Sequence, residues 1–168
     1  MSSPNHHLAS PEQVAKHRRD TILELARTEA WPSTHSFKGD DPAKKRSTGQ
    51  LLGIWDDKEH CFYYPPFQFL EDGSLNPKLP ALLLALSEIP SYRPAEDAGG
   101  WGRFDWLDGL RGSMSLRDLA EELSETGIAE HEDLLSLEAR RPAEVFLTQP
   151  DAVIGLALRD AAAIRDRR

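Results

Sequence analysis

Residues 49–69 read GQLLGIWDDKEHCFYYPPFQF, and this stretch decides the fold. Two runs rich in β-branched and aromatic residues, 51–55 and 61–64, flank the polar turn 56–59. Such runs around a short polar turn are typical of a β-hairpin.

The end of the stretch combines two prolines with two aromatic rings. Pro65 and Pro66 should end the second strand, because proline has no amide hydrogen to donate to a ladder. Beyond them we expect Phe67 and Phe69 to share one face at strand spacing. We expect the Gln68 amide to face the other way and to satisfy backbone groups beside the proline break.

A leucine-rich run follows the hairpin. Residues 79–87 are apolar almost all round, with Leu82, Leu83 and Leu86 at the centre, which predicts a buried helix. With five aromatic residues of the first stretch this helix should form most of the core. Those residues are Trp55, Phe62, Tyr64, Phe67 and Phe69.

Helix start signals recur along the chain. Ser10, with Gln13 three residues later, forms a capping box that predicts a helix from Pro11 to about Glu29. Asp41-Pro42 repeats the cap-then-proline start and predicts a short helix through about Ser47. The first of these helices should bury Val14, Ile22, Leu25 and Ala26.

Further helices are expected at 115–126, 132–139, 142–148 and 151–164, with an aromatic turn or short helix at 101–107. The predicted fold class is mainly α with a small β-hairpin (α+β), a compact helical domain. Residues 1–48 would form an N-terminal helical module, one interpretation of which is a degenerate helix-turn-helix. Residues 49–168 would form the main domain, with an acidic insertion at about 109–138.

Charge is unevenly distributed along the 168 residues. The net charge is −8, yet residues 1–50 carry eight Lys or Arg against six Asp or Glu, whereas residues 51–168 carry twelve against twenty-two. Within the second part, Glu96–Glu138 forms an acidic belt, which indicates either a basic partner surface or merely a solvated face. A single cysteine, Cys61, excludes an intrachain disulfide and favours the cytoplasm. The longest apolar run, 79–86, is too short to cross a bilayer, so no membrane association is expected.

Catalytic patterns are sparse. The sequence has no Gly-rich phosphate loop, no nucleophile elbow and no pair of metal-binding cysteines. Cys61 is the one candidate thiol nucleophile, and a packed thiol explains it better. We therefore expect a protein that is not an enzyme, with no catalytic, cofactor-binding or metal-binding residues. An enzyme with an unrecognised site, built on a cluster of His60, Cys61 and a carboxylate, is the competing interpretation.

Basic residues are concentrated before the hairpin. Lys44, Lys45 and Arg46 could contact DNA phosphates, since such contacts need only exposed cations. A solvated helical face is equally compatible. Because the whole chain is acidic, DNA binding would favour a homodimer or a cationic partner.

Three separated motifs resemble one known family. The first motif comprises residues 49–55 and 64–69, and the second is Asp72-Gly73-Ser74-Leu75. The third comprises Trp106-Leu107 and the later Arg141–Phe146. Together they resemble the Xre/MbcA/ParS-type antitoxins and related proteins that share their toxin-binding domain. The chain departs from the family pattern in the stretch 109–138 and in its N-terminal module, which lacks the family's clear helix-turn-helix pattern.

The resemblance implies an antitoxin that neutralises a cognate protein toxin by occlusion. The toxin would often be of the RES class that consumes NAD, and the antitoxin would also bind its own promoter. The alternative is a DNA-binding transcriptional regulator without a toxin partner. Partner contacts are expected in the helices after Trp101. The residues carried over as the family signature are Tyr64, Pro66, Phe67, Gln68, Phe69, Arg141, Pro142 and Ala143.

Overall fold

The computed structural model describes residues 9–109 and 140–168. The chain divides into two compact units, the first ending at Trp31 and the second running from Pro32 to Arg168. Helices dominate the described ranges, which also contain one two-stranded antiparallel sheet. The predicted fold class, mainly α with a small hairpin, is confirmed. The module boundary placed at residue 48 lies inside the second unit.

The first unit contains helix α1, Pro11–Thr28. The Ser10 hydroxyl accepts a hydrogen bond from the Gln13 amide at 3.2 Å, and the Ser10 amide donates to the Gln13 side chain at 2.8 Å. This reciprocal pair satisfies two amides near a helix start that lack helical partners. The capping signal therefore placed the first residue of the helix correctly.

The buried side of α1 differs from the predicted stripe. Leu23 and Ala26 are buried, whereas Val14 is 56% exposed and Leu25 is 41% exposed. Ile22 is half-buried. The prediction was therefore right for Ala26 and wrong for Val14 and Leu25. At about 100° per residue, the apolar side chains of α1 spread over about half of its circumference, so their spacing alone does not tell which part of that arc is buried.

The second unit begins with a short helix and the hairpin. Helix α2 spans Pro42–Ser47, strand β1 spans Ile54–Asp56 and strand β2 spans Cys61–Tyr63. The strands pair antiparallel with Trp55 opposite Phe62, and the centroids of these two rings lie 5.0 Å apart. The hairpin is confirmed, although each strand is shorter than its β-prone run.

Both edges of the hairpin are hydrogen-bonded to other segments. Beside β2, the Thr34 amide donates to the Phe62 carbonyl at 2.9 Å, and the Thr34 hydroxyl accepts from the Phe62 amide at 3.0 Å. Beside β1, the Trp55 amide donates to the Gly99 carbonyl at 3.0 Å. The two-stranded ribbon is therefore held between two loops.

The segment after β2 is a 3-10 helix, Pro66–Gln68, and not the extended run that was predicted. Phe67 and Gln68 are consequently both buried, while Phe69 is half-buried. Pro66 occupies the first helical position, where its fixed φ suits a helical turn and its missing amide hydrogen costs nothing. Because these residues form a helical turn, the prediction that Phe67 and Gln68 lie on opposite faces of a strand is wrong.

Four more α-helices lie in the described part of the second unit. They are α3 (Leu79–Ser87), α4 (Trp101–Asp108), α5 (Pro142–Phe146) and α6 (Pro150–Arg165). Helix α3 packs on α6, α6 on α5, and α5 on α4. The bounds of α3 match the predicted helix 79–87. A second 3-10 helix, Pro90–Tyr92, lies between α3 and α4.

The core differs from the prediction in its aromatic part. Helix α3 buries its leucines as expected, and Tyr64 and Phe67 are buried. Trp55, Phe62 and Phe69 are only half-buried. Their places are taken by aromatic residues of α4 and α5, which the sequence did not assign to the core: Trp101, Phe104, Trp106 and Phe146.

The start of α4 is held by a buried ion pair. The Asp97 carboxylate accepts hydrogen bonds from the amides of Gly102 and Arg103, each at 3.0 Å, and from the Arg103 guanidinium at 2.9 Å. Just before the helix, Gly100 has φ 74°, and a Cβ there would lie 1.8 Å from the Gly53 carbonyl oxygen. A side chain at position 100 is therefore excluded.

Several predictions lie outside the described residues. They concern the helices 115–126 and 132–139 and, apart from Gly109, the acidic insertion. Within 9–109 and 140–168, no helix has the length and apolar content needed to cross a membrane.

Candidate interaction site

The Gln68 side chain forms hydrogen bonds with three backbone groups, two of Leu52 and one of Pro65. Its carbonyl oxygen accepts from the Leu52 amide at 2.7 Å, and its nitrogen donates to the Leu52 carbonyl at 2.8 Å and the Pro65 carbonyl at 3.2 Å. The side chain is fully buried. Gln68 thus satisfies backbone groups beside the proline break, as predicted, and it acts inside the fold.

Tyr64 is also an internal residue. It is fully buried, and its hydroxyl accepts a hydrogen bond from the Arg46 guanidinium at 2.7 Å. The same guanidinium lies 3.8 Å from the centroid of the Phe62 ring, a cation–π contact. Tyr64 therefore anchors the end of the hairpin to α2.

The two segments that carry the predicted signature residues, 64–69 and 141–143, belong to elements that pack together, although more than seventy residues separate them. The Phe67 and Phe146 rings pack edge to face with centroids 6.0 Å apart. Pro142 is buried at the first position of α5, Ala143 is half-buried, and Arg141 precedes them as an exposed residue. The contact of Phe67 with Phe146 thus holds the 3-10 helix Pro66–Gln68 against α5, the helix that begins at Pro142.

Arg141 and Pro66 are the exposed signature residues. The Arg141 guanidinium lies 3.6 Å from the Asp108 carboxylate and 3.5 Å from the Glu144 carboxylate. Phe69 is half-buried against Phe37, with ring centroids 6.3 Å apart. Most of the signature therefore supports the fold, and little of it is offered to a partner.

The basic residues proposed to contact DNA differ in their surroundings. Lys44 is exposed and Lys45 is half-buried, both on α2, which contains no fully buried residue. Arg46 is held by Tyr64 and Phe62. The structure thus leaves Lys44 and Lys45 accessible and gives Arg46 an internal role.

Of the residues considered for catalysis, Cys61 is buried opposite the buried Asp56 in the hairpin register, whereas His60 is exposed. Cys61 is buried at 3% exposure, and His60 precedes it in a left-handed turn with φ 49°. In the described part of the chain no three His, Cys, Asp or Glu side chains are grouped so that they could hold a metal. The pKa of exposed Asp72 is lowered by hydrogen bonds from the Ser74 hydroxyl and amide.

Exposed leucines mark the outer side of the helices. Leu84 on α3 is 67% exposed, Leu147 directly after α5 is 57% exposed, and Leu158 on α6 is 47% exposed. Helices α3 and α6 pack against each other, as do α5 and α6. Sequence reasoning missed Leu84, because the run 79–87 is apolar on every side and its outer face carries no polar marker.

No family model, curated protein or solved structure matches this chain. The class that the structure defines is a mainly α fold built around a two-stranded ribbon. The resemblance to antitoxins remains a prediction that rests on the residues of the signature.

Proposed function

We propose that this protein is a binding protein of the antitoxin type, which neutralises a cognate protein toxin by occluding it. The observation that carries the proposal is the set of exposed leucines, Leu84, Leu147 and Leu158, on helices that pack together. The signature residues are used mainly inside the fold, so partner contact falls to these outer helical faces. A RES-type toxin is the partner that the resemblance implies.

An ion pair relates the positions of two of these leucines. The Lys78 ammonium at the start of α3 lies 3.1 Å from the Asp151 carboxylate near the start of α6. Leu84 follows Lys78 by six residues, and Leu158 follows Asp151 by seven. At about 1.5 Å of rise per residue, the two leucines lie at similar distances along their helices from this pair, about 9 and 10 Å.

The chemistry of this surface suits a protein partner with basic groups around an apolar centre. Burying an exposed leucine contributes about 1.5–3 kcal/mol at full burial. Glu88 lies one turn after Leu84, and Glu144 lies three residues before Leu147, so two of the three leucines have an acid nearby. With a net charge of −8, the chain would attract a basic surface and orient it on approach.

The test is co-expression with the product of the neighbouring reading frame. We expect the two proteins to co-purify and the toxicity of that product to be suppressed. Leu84→Asp and Leu158→Asp should each weaken the complex by about thirtyfold, the equivalent of about 2 kcal/mol. Leu70→Asp is the matched control, since Leu70 is 42% exposed but lies outside these helices.

Two results would contradict the proposal. If the neighbouring product neither binds nor is neutralised, the chain is not its antitoxin. If the product binds equally well to the double variant Leu84→Asp/Leu158→Asp, the binding surface lies elsewhere. Far-UV circular dichroism of each variant checks that the fold is retained.

The alternative, a DNA-binding regulator, is supported by the accessible Lys44 and Lys45 on α2. It predicts binding to the chain's own upstream DNA that weakens steeply with salt. Replacing both lysines by alanine should reduce that binding and flatten its salt dependence, as measured by electrophoretic mobility shift. A lack of binding at low salt would exclude this function.

A further inference from the structure

Helix α1 has an exposed face that the proposed function does not use. Pro11, Val14, Arg18, Thr21, Leu25 and Thr28 follow one another at alternating intervals of three and four residues, the spacing of a coiled-coil seam. Val14 and Leu25 are the large apolar members and are 56% and 41% exposed. They lie about three turns apart and therefore on the same face.

A shallow, open depression of about 500 Å³ lies on this side of α1. All the residues that line it belong to the helix, and they include the acidic Asp20 and Glu24 beside Thr21 and Leu25. Leu23 and Ala26, the buried residues of the helix, lie on a different arc. The seam can therefore receive a second helix without disturbing the residues that α1 already buries.

The charges of α1 are arranged in two blocks. Residues 11–19 carry Lys16, Arg18 and Arg19 against Glu12 and form the basic block, with His17 among them. Residues 20–29 carry Asp20, Glu24 and Glu29 against Arg27, whose guanidinium lies 2.9 Å from the Glu24 carboxylate, and form the acidic block. A parallel copy of α1 would place like charges together. An antiparallel copy would place the basic block of each helix beside the acidic block of the other.

We infer that α1 is a dimerisation element and that a second copy of this chain occupies the seam, antiparallel. The midpoint of the interface lies between Arg19 and Asp20 of each helix. In this register Val14 packs on Leu25 of the second copy, and Arg18 packs on its Thr21. His17 lies beside Glu24 of the second copy. Every contact occurs twice, because the interface is related by a two-fold axis.

The test is sedimentation velocity of the full chain across a micromolar concentration series. We expect a concentration-dependent dimer, because the seam has only two large apolar side chains per helix. Val14→Asp/Leu25→Asp should raise the dissociation constant by about tenfold or more, since it places carboxylates in both apolar layers. Leu70→Asp is the matched control: Leu70 is 42% exposed, close to the 41% of Leu25, but lies outside α1, so the change should leave the dimer unchanged.

A pair of substitutions at His17 tests the register. His17→Lys should tighten the dimer by about threefold, and His17→Glu should weaken it by about threefold, because this position faces Glu24 of the second copy. His17 is exposed, so neither change disturbs a buried group. Circular dichroism shows whether the helix content is retained.

Three outcomes would overturn the inference: a monomer at every concentration, a dimer that the Val14 and Leu25 substitutions leave intact, or equal effects of the two His17 substitutions. The last outcome would exclude the antiparallel register. A mass that rises only when another protein is added would show that a different partner occupies the seam. These measurements need no toxin, so their failure is distinguishable from failure of the proposed function.

Discussion

Replacing Gln68 by methionine removes the side chain that joins the segment before the hairpin to the proline break. The wild-type amide makes three hydrogen bonds, two to Leu52 and one to the Pro65 carbonyl, at full burial. Methionine has a similar volume, so little cavity forms and the change isolates the polar contribution.

The size of the effect follows from these contacts. Each hydrogen bond contributes about 1 kcal/mol net, and the buried Leu52 amide left without a partner costs about 1 kcal/mol or more in addition. We expect Gln68→Met to lower the free energy of unfolding by about 3–4 kcal/mol, and Tm by about 10 °C for a chain of this size. Gln68→Glu should cost more, since it removes both donated hydrogen bonds and buries a carboxyl group.

Urea unfolding followed by far-UV circular dichroism measures the difference. The control is Gln50→Met, the same chemical change at an exposed glutamine, which should alter stability by less than about 0.5 kcal/mol. If Gln68→Met costs no more than this control, the three hydrogen bonds do not stabilise the fold and the reasoning fails.

Gly100→Ala should lower the free energy of unfolding by about 3 kcal/mol or more in the same assay, because its Cβ would lie 1.8 Å from the Gly53 carbonyl oxygen. Gly73→Ala, also at positive φ but with open space around it, should cost only about 1 kcal/mol, and equal losses would refute the steric argument. Arg46→Ala should cost about 2 kcal/mol, from the lost hydrogen bond and the lost ring contact, whereas Lys44→Ala should be neutral. A neutral Arg46→Ala would show that this guanidinium has no internal role.

Local signals predicted the elements well where they act within a few residues. The capping box at Ser10 set the start of α1, Asp41-Pro42 set the start of α2, and the apolar run 79–87 matched α3. The role of Gln68 could also be predicted, because a buried amide beside a proline break has backbone groups to satisfy.

What could not be predicted depends on contacts distant in sequence. The exposed side of α1 was assigned to the core, because the apolar residues spread over about half of the helix circumference and only tertiary packing selects the part that is buried. Residues 66–68 were predicted to be extended, yet the Gln68 contacts with Leu52, sixteen residues earlier, accompany a helical turn. The packing of Phe67 on Phe146 likewise joins segments that no local pattern relates.

The loops along the hairpin limit how a partner can recognise this protein. Many binding modules accept an extended peptide as an additional strand, which needs an open row of amides and carbonyls. Here Thr34 and Gly99 already engage the ribbon on its two sides, so strand addition at these positions would first have to displace the chain's own loops. The same occupancy hinders the edge-to-edge association by which short sheets begin to aggregate.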